Sequence, residues 1–280
     1  NYADGFNNLG AALQEQGNLD EALKAYNKVL IMKSDYVDAY YNMGKVLYDQ
    51  GKLDEAINSY NKAISLKPDY AAAYCNLGVT LQSQWNLDQA INSYNKALEL
   101  NYISSDLYYN LGITNYYKGN YKESFKSYYE AISLTPDYAD AHRNLGYALL
   151  NEGKIIEGLN ELEWRWKTKE NITQWRNFSK PMWDGKQSLA DKKIFLWCEQ
   201  GIGDTIMWVS RLSLLASQAK LCILECQPKL VTLLKRSFPS VEIKAEDRRS
   251  DQQRDDFDYH LPMGSLYKNF IQDLLTNKNP

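Results

Sequence analysis

The sequence is poor in the residues that build disulfide or metal frameworks. It has four cysteines and two histidines in 280 residues. Cys75, Cys198, Cys222 and Cys226 show neither a disulfide-framework spacing nor a paired C-x-x-C. Cys222 and Cys226 read instead as small apolar residues on a strand. A reducing cytoplasm is the default compartment, and no metal site is expected. A charge surplus is missing too. With 32 basic and 35 acidic residues the formal net charge is -3 and the pI about 5.6, which argues against a nucleic-acid partner. No run of about 18 apolar residues occurs, so neither a membrane span nor a signal peptide is expected.

What the chain has in plenty is tyrosine, 22 residues, and a repeat. Asn-Leu-Gly stands at Asn8-Leu9-Gly10 and Asn-Met-Gly at Asn42-Met43-Gly44, and Asn-Leu-Gly returns at Asn76, Asn110 and Asn144. Each start comes 34 residues after the last. A fixed period of that length means a solenoid, in which each unit buries its apolar face only against its neighbours. A second phrase keeps the register: Leu-Asp-Glu-Ala at Leu19 and Leu53, Leu-Asp-Gln-Ala at Leu87. Asn1-Tyr2-Ala3 aligns with Asp69-Tyr70-Ala71, so Asn1 reads as a cut or processed end with further repeats expected upstream.

Each unit reads as two helices. Tyr74, Leu77 and Leu81 give helix A its apolar stripe, with Gly78 where the paired helix comes close. Helix B carries Ala56, Tyr60 and Ala63, and one unit later Ala90, Tyr94 and Ala97. Gly17, Gly51, Gly119 and Gly153 fall where a helix end wants a left-handed residue; Trp85 stands there in the third unit, predicting a different turn. Asp35, Asp69 and Asp137 are expected as N-caps, after Pro68 and Pro136 in the last two cases. Asn115 and Ser124 replace the usual apolar residues of the fourth unit. The fifth unit decays into Glu163-Trp164-Arg165-Trp166, as a terminal repeat meeting something else does.

This pattern resembles the tetratricopeptide repeat. The resemblance implies an α-solenoid, a right-handed superhelix of five units over residues 1–170 whose concave groove is lined by helix A. The repeats look like those of O-GlcNAc transferase, which implies that Asn8, Asn42, Asn76, Asn110 and Asn144 form a ladder contacting an extended peptide or protein. A side-chain amide both donates and accepts, so it can pair with a peptide backbone without reading its sequence. Tyr41, Tyr48, Tyr109, Tyr116, Tyr117 and Tyr147 would be aromatic anchors beside it. The alternative is that the asparagines only bond backbone at helix contacts and the tyrosines only pack.

Periodicity ends in a connector over residues 171–190, where Trp175, Phe178, Pro181, Met182, Trp183 and Gly185 are too apolar for a floppy linker. It is expected to pack between the solenoid and the C-terminal domain. The Asn171-Ile172-Thr173 sequon is taken as idle. In residues 191–280, apolar runs at 193–198, 221–225, 241–243 and 257–262 alternate with helical stretches at 205–218, 229–236 and 265–275. Strands alternating with helices predict a partial doubly wound α/β domain, Rossmann-like, whose ligands sit beyond the strand ends, where Gly201 to Asp204 fall.

Three readings of Gly201-Ile202-Gly203-Asp204 stand open. A dinucleotide fingerprint would place Glu225 on a ribose, but has Ile206 where a third small residue belongs. A plain glycine turn would let strand meet helix, with Asp204 as its N-cap. Third, Glu199-Gln200-Gly201-Ile202-Gly203-Asp204-Thr205-Ile206 resembles the start of heptosyltransferase-type enzymes of glycosyltransferase family 9, which have the GT-B fold. Bacterial proteins joining such a domain to tetratricopeptide repeats through Trp-Arg-Trp and Trp-x-Gly connectors look similar, and Asp258 to Leu266 fits the same group, with Gly264 where a bulkier residue is expected.

The resemblance implies that Asp204 is the general base for an acceptor hydroxyl, beside a helix opening at Thr205 that favours negative charge. Glu199, Gln200, Gly201 and Gly203 would form the acceptor loop, and His260, at a strand end, would line it. It covers all five repeats but only the first half of a catalytic domain. The half that binds a nucleotide-sugar in that family is missing, so no cofactor is expected in this chain. The expectation is therefore a fragment of a sugar transferase inactive on its own, or else a non-enzymatic scaffold with an α/β cap.

Overall fold

Short polar turns punctuate the first half of the chain at close intervals, and each releases a helix of about four turns. The computed structural model describes residues 2–199 and 201–270. Gln200, and the expected helix beyond residue 270, lie outside them. Contacts divide the chain into two units, Asn1–Ala148 and Leu149–Pro280.

The first unit is a ladder of antiparallel helix pairs. They are α1 (Tyr2–Glu15) with α2 (Leu19–Met32), α3 (Val37–Asp49) with α4 (Leu53–Leu66), α5 (Ala71–Ser83) with α6 (Leu87–Glu99), and α7 (Ser105–Lys118) with α8 (Tyr121–Leu134). Next comes α9 (Ala139–Asn151), which crosses the boundary, and the short α10 (Ile155–Leu162) belongs to the second unit. The A helices α1, α3, α5 and α7 touch in succession. The glycine of each tripeptide explains the pairing. A Cβ on Gly10, Gly44, Gly78 or Gly112 would stand 2.5 to 2.7 Å from the ring of Tyr26, Tyr60, Tyr94 or Tyr128 in the partner helix. Those four rings are wholly buried, so the glycine makes room for a tyrosine, not for a backbone. In the fifth unit the matching residue is Leu162.

Gly17, Gly51, Gly119 and Gly153 have φ between 74° and 84°, as expected. The third turn corrects the expectation. Trp85 takes φ 61° and donates its N–H to Gln82 O at 2.9 Å. The Gly51 turn makes the same bond to Tyr48 O at 2.8 Å. The turn is therefore the same one, forced on a tryptophan. The N-caps differ as well. Asp35 and Asp69 are exposed and lie one residue too early, since Tyr36 and Tyr70 cap α3 and α5 without a side-chain bond. Asp137 likewise stands two residues before α9. Tyr36, Tyr70 and Tyr138 instead link the repeats, their hydroxyls donating to Asp4, Asp38 and Asp106 of the preceding A helix. Asn115 and Ser124 are buried and satisfied, Asn115 Nδ2 donating to Leu111 O and Ser124 Oγ to Gly112 O.

The second unit is built on a parallel sheet. Strands β1 (Lys193–Trp197), β2 (Leu221–Cys226), β3 (Glu242–Ala245) and β4 (Tyr259–Pro262) lie in the order β3-β2-β1-β4. β1, β2 and β4 are mostly buried runs, as strands covered on both faces are. Between β1 and β2 the expected helix 205–218 opens earlier and breaks: α11 (Ile202–Trp208), a 3₁₀ turn at Val209–Arg211, then α12 (Leu212–Gln218). Val209, Leu212 and Leu215 are buried at a spacing of three, which suits the tighter turn. α13 (Val231–Ser237) leads to β3. All four cysteines are buried and free; burial pushes the Cys198 and Cys222 thiols up to about 12.

The connector packs onto this sheet. Met182 pairs with His260 beside β4, and Trp183 donates its N–H to His260 O at 2.9 Å. Trp166, Trp175 and Phe178 gather round Trp197, with ring centroids 5.3 to 6.2 Å away.

Candidate functional site

The ladder asparagines sit on successive A helices, and most are already bonded to the repeat before. Asn76 Nδ2 donates to Tyr41 Oη at 3.0 Å, and Asn144 Nδ2 to Tyr109 Oη at 3.1 Å. Asn42 Nδ2 reaches Asn7 Oδ1 at 3.4 Å. The partner is always 35 residues back, a regularity visible in the sequence once it is known to matter. For Asn110 that position holds Cys75, a poor acceptor. Asn110 and the exposed Asn8 make no side-chain hydrogen bond among the described residues. In Asn42, Asn76 and Asn144 the side-chain oxygen likewise accepts nothing there.

The expected anchors divide by burial. Tyr41 and Tyr109 are half-buried and lean on Tyr60 and Tyr70, and on Tyr128 and Tyr138, respectively. Tyr48 is half-buried with its hydroxyl 3.3 Å from Ser83 Oγ, and Tyr116 packs on Tyr117 and Tyr121. Tyr117 and Tyr147 are exposed. Trp85, not expected here, faces Tyr117 edge-on with centroids 5.1 Å apart. Together they flank a hollow of about 290 Å³ that Asn110, Val79 and Gln82 also line.

In the second unit, β1 delivers Glu199 and the glycine turn. Glu199 is buried and corrects the acceptor-loop expectation, because its carboxylate is occupied. Arg165 Nη2 donates to both of its oxygens, at 3.0 and 3.2 Å, and Gly264 N–H donates to Oε1 at 3.0 Å. Arg165 also bonds Glu163 Oε1 at 2.8 Å and Ser265 Oγ at 3.0 Å. Burial raises the Glu199 carboxyl to about 7, outweighing the pull of Arg165. A Cβ on Gly264 would lie 2.0 Å from Glu199 Oε1, which is why no bulkier residue stands there.

Gly201 is the N-cap of α11 with φ -65°, a value open to any residue. Gly203 has nothing within 4 Å of an added Cβ. Asp204 is therefore a first-turn residue and not the cap. It is half-buried, with no hydrogen bond or ion pair among the described residues. Gln200 lies outside them. His260 is inside β4, not at its end, and is buried against Phe178 at 4.7 Å. Trp197 Nε1 donates to its Nδ1 at 3.4 Å. Burial, with the Arg176 cation nearby, lowers the imidazole to about 4, so it is neutral at ordinary pH.

The dinucleotide reading fails on Glu225. That carboxylate is buried and held by Arg176 Nη1 at 2.5 Å and Arg254 Nη1 at 2.9 Å, leaving no place for a ribose. Arg176 also binds Asp251. Sequence reasoning missed these arginines because nothing in their spacing marks them. Among the described residues, no cluster of His, Cys, Asp and Glu could hold a metal, and no helix is long and apolar enough to cross a membrane.

Comparison with known proteins accords with the helix pairs. The TPR repeat family model matches residues 10–51, 44–84 and 114–153, and the Tetratricopeptide repeat model matches 71–101. These segments are tetratricopeptide repeats, and with their helix pairs they form a helical solenoid. A crystal structure of MamA is 27% identical and superposes with a TM-score of 0.54, covering 59% of this chain and 97% of that one. A second MamA structure is 26% identical, with a TM-score of 0.55 over 62% and 96%. YrrB, solved as a TPR protein with an unusual peptide-binding site, is 22% identical, with a TM-score of 0.53 over 60% and 87%. Comparison with curated proteins gave no match.

Proposed function

We propose that the repeats, residues 1–170, hold an extended peptide or protein segment along their A helices. Supporting this is the one-sided use of the ladder amides. Their N–H groups are spent on the preceding repeat at Asn42, Asn76 and Asn144, while the side-chain oxygens accept nothing among the described residues. A row of aligned acceptors is what peptide N–H groups need. The peptide-binding site of YrrB, whose fold is similar, is in keeping with it. The test is a peptide array probed with wild type and with the Asn42→Ala/Asn76→Ala/Asn110→Ala variant. Binding that survives the triple change overturns the ladder.

Beyond the connector, 171–190, the same proposal takes residues 191–280 as the acceptor-side half of a glycosyltransferase-like, GT-B domain. The strand order 3-2-1-4 is that of the first strands of a doubly wound sheet. The open space at Gly203 and the Asp204 carboxylate, which makes no hydrogen bond or ion pair among the described residues, suit a general base approached by an acceptor hydroxyl. A nucleotide-sugar would need a second such half. A specific observation favours the other reading, a non-enzymatic scaffold with an α/β cap: the Glu199 carboxylate just beyond β1 is taken up by Arg165, which also bonds Ser265. Asp204→Asn separates the two. In a transferase it abolishes turnover by the whole protein with little change in stability; in a scaffold it leaves partner binding intact.

A further inference from the structure

The third repeat breaks its own pattern at two places, and both breaks open onto one hollow. Where the other four turns have Gly17, Gly51, Gly119 and Gly153, this one has Trp85 at φ 61°. A bulky residue in the left-handed region is strained, and such strain persists where function holds it. The ring gains little packing in exchange, since Trp85 is 66% exposed. Where the second and fourth repeats have Tyr41 and Tyr109 to engage the next asparagine, the third has Cys75. Asn110 alone among the internal ladder asparagines therefore keeps both its N–H and its oxygen uncommitted among the described residues.

The two departures meet in the 290 Å³ hollow. Trp85 and Tyr117 (57% exposed) give it two aromatic rings, Val79 and Leu87 aliphatic lining, and Asn110, Gln82, Ser83 and Tyr48 uncharged polar lining. Among the described residues no charged side chain lines it; nearby Lys118 is held by Asp88. Resting on the peptide-binding reading above, we propose that this hollow is a specificity pocket. It takes one uncharged aromatic or aliphatic side chain of the bound segment while Asn110 pairs in both directions with that residue's backbone. Two large exposed rings give an apolar side chain contact area, and a pocket without countercharge penalises Lys, Glu or Asp at that position.

Trp85→Gly gives the test its edge, because it installs the residue the other four turns use and so relieves strain while removing one of the two rings. The probes are immobilised decapeptides with Phe, Leu, Glu or Lys at the centre of a Gly/Ser flank, read with the whole chain, alongside thermal unfolding. The expected result is binding of the Phe and Leu peptides at least tenfold tighter than of the Glu and Lys peptides. Trp85→Gly is expected to lose that preference while its Tm rises, and Asn110→Ala to weaken binding of every peptide. If Trp85→Gly and Asn110→Ala bind an arrayed peptide as well as wild type does, the pocket is overturned and the wider groove reading stands. Equal binding of the Glu or Lys peptide overturns the proposed specificity. If wild type binds no peptide on the array, the pocket and the groove reading fall together.

Discussion

Gly264 gives its backbone N–H to Glu199 Oε1 at 3.0 Å across 65 residues of sequence, and an added Cβ would sit 2.0 Å from that oxygen. The same carboxylate anchors Arg165, itself 6% exposed. One glycine thus seats the ion pair between the 3₁₀ turn at Glu163–Lys167 and the residues just beyond β1.

Gly264→Ala should destabilise the protein by about 1 to 3 kcal/mol, since its Cβ forces the Glu199 carboxylate out of a packed site and leaves Arg165 paired with Glu163. Urea unfolding followed by tryptophan emission reads this directly. A loss under about 0.5 kcal/mol would mean that the pair relaxes freely, contrary to its burial.

Glu199 and His260 should tilt the pH dependence in opposite senses. The Glu199 carboxyl is raised in the folded state from 4.5 to about 7, so its contribution is full below pH 4.5 and lost as pH rises through 7. The His260 imidazole is lowered from 6.5 to about 4, so its contribution is full above pH 6.5 and lost as pH falls through 4. Between about pH 4.5 and 6.5 the two slopes offset one another. Glu199→Gln should therefore leave a stability that climbs with pH across this window, and His260→Gln one that declines. Unfolding free energies at pH 4.5 and 6.5 decide it; parallel slopes in the two variants would falsify the assignment.

Gly78→Ala should cost roughly 1 to 3 kcal/mol, because its Cβ would stand 2.6 Å from Tyr94 Cε1. In Gly78→Ala/Tyr94→Leu the smaller side chain, the one Leu162 provides in the fifth unit, should recover part of the loss. A double-mutant cycle with no coupling between the two positions would contradict the contact.

Tyr138→Phe removes one hydroxyl bond, 2.8 Å to Asp106 Oδ1, that ties one repeat to the next. A cost of about 1 kcal/mol is expected. Asp106→Asn keeps an acceptor and should cost less; a Tyr138→Phe variant, its ring intact, that melts like wild type would show that the bond contributes nothing.

The recurring tripeptide determined the helix pairs, because in a solenoid every repeat solves the same local packing problem and prints it at a fixed interval. The left-handed glycines were legible for the same reason, and so was the alternation of apolar runs with helical stretches, which the parallel sheet bears out. Tertiary structure decided what spacing could not express. Trp85 keeps the glycine turn because the helices on either side impose it, whatever the residue. Asn76 is tied to Tyr41 while Asn110 is not, since that depends on the residue 35 places earlier and on helices brought side by side. His260 looked like a strand-end histidine and is core, because the connector's aromatic rings close over it. Glu199, Arg165 and Ser265 come from segments up to 100 residues apart. Local sequence carries no record of such a meeting; only the folded chain, with its buried charges obliged to find partners, brings them together.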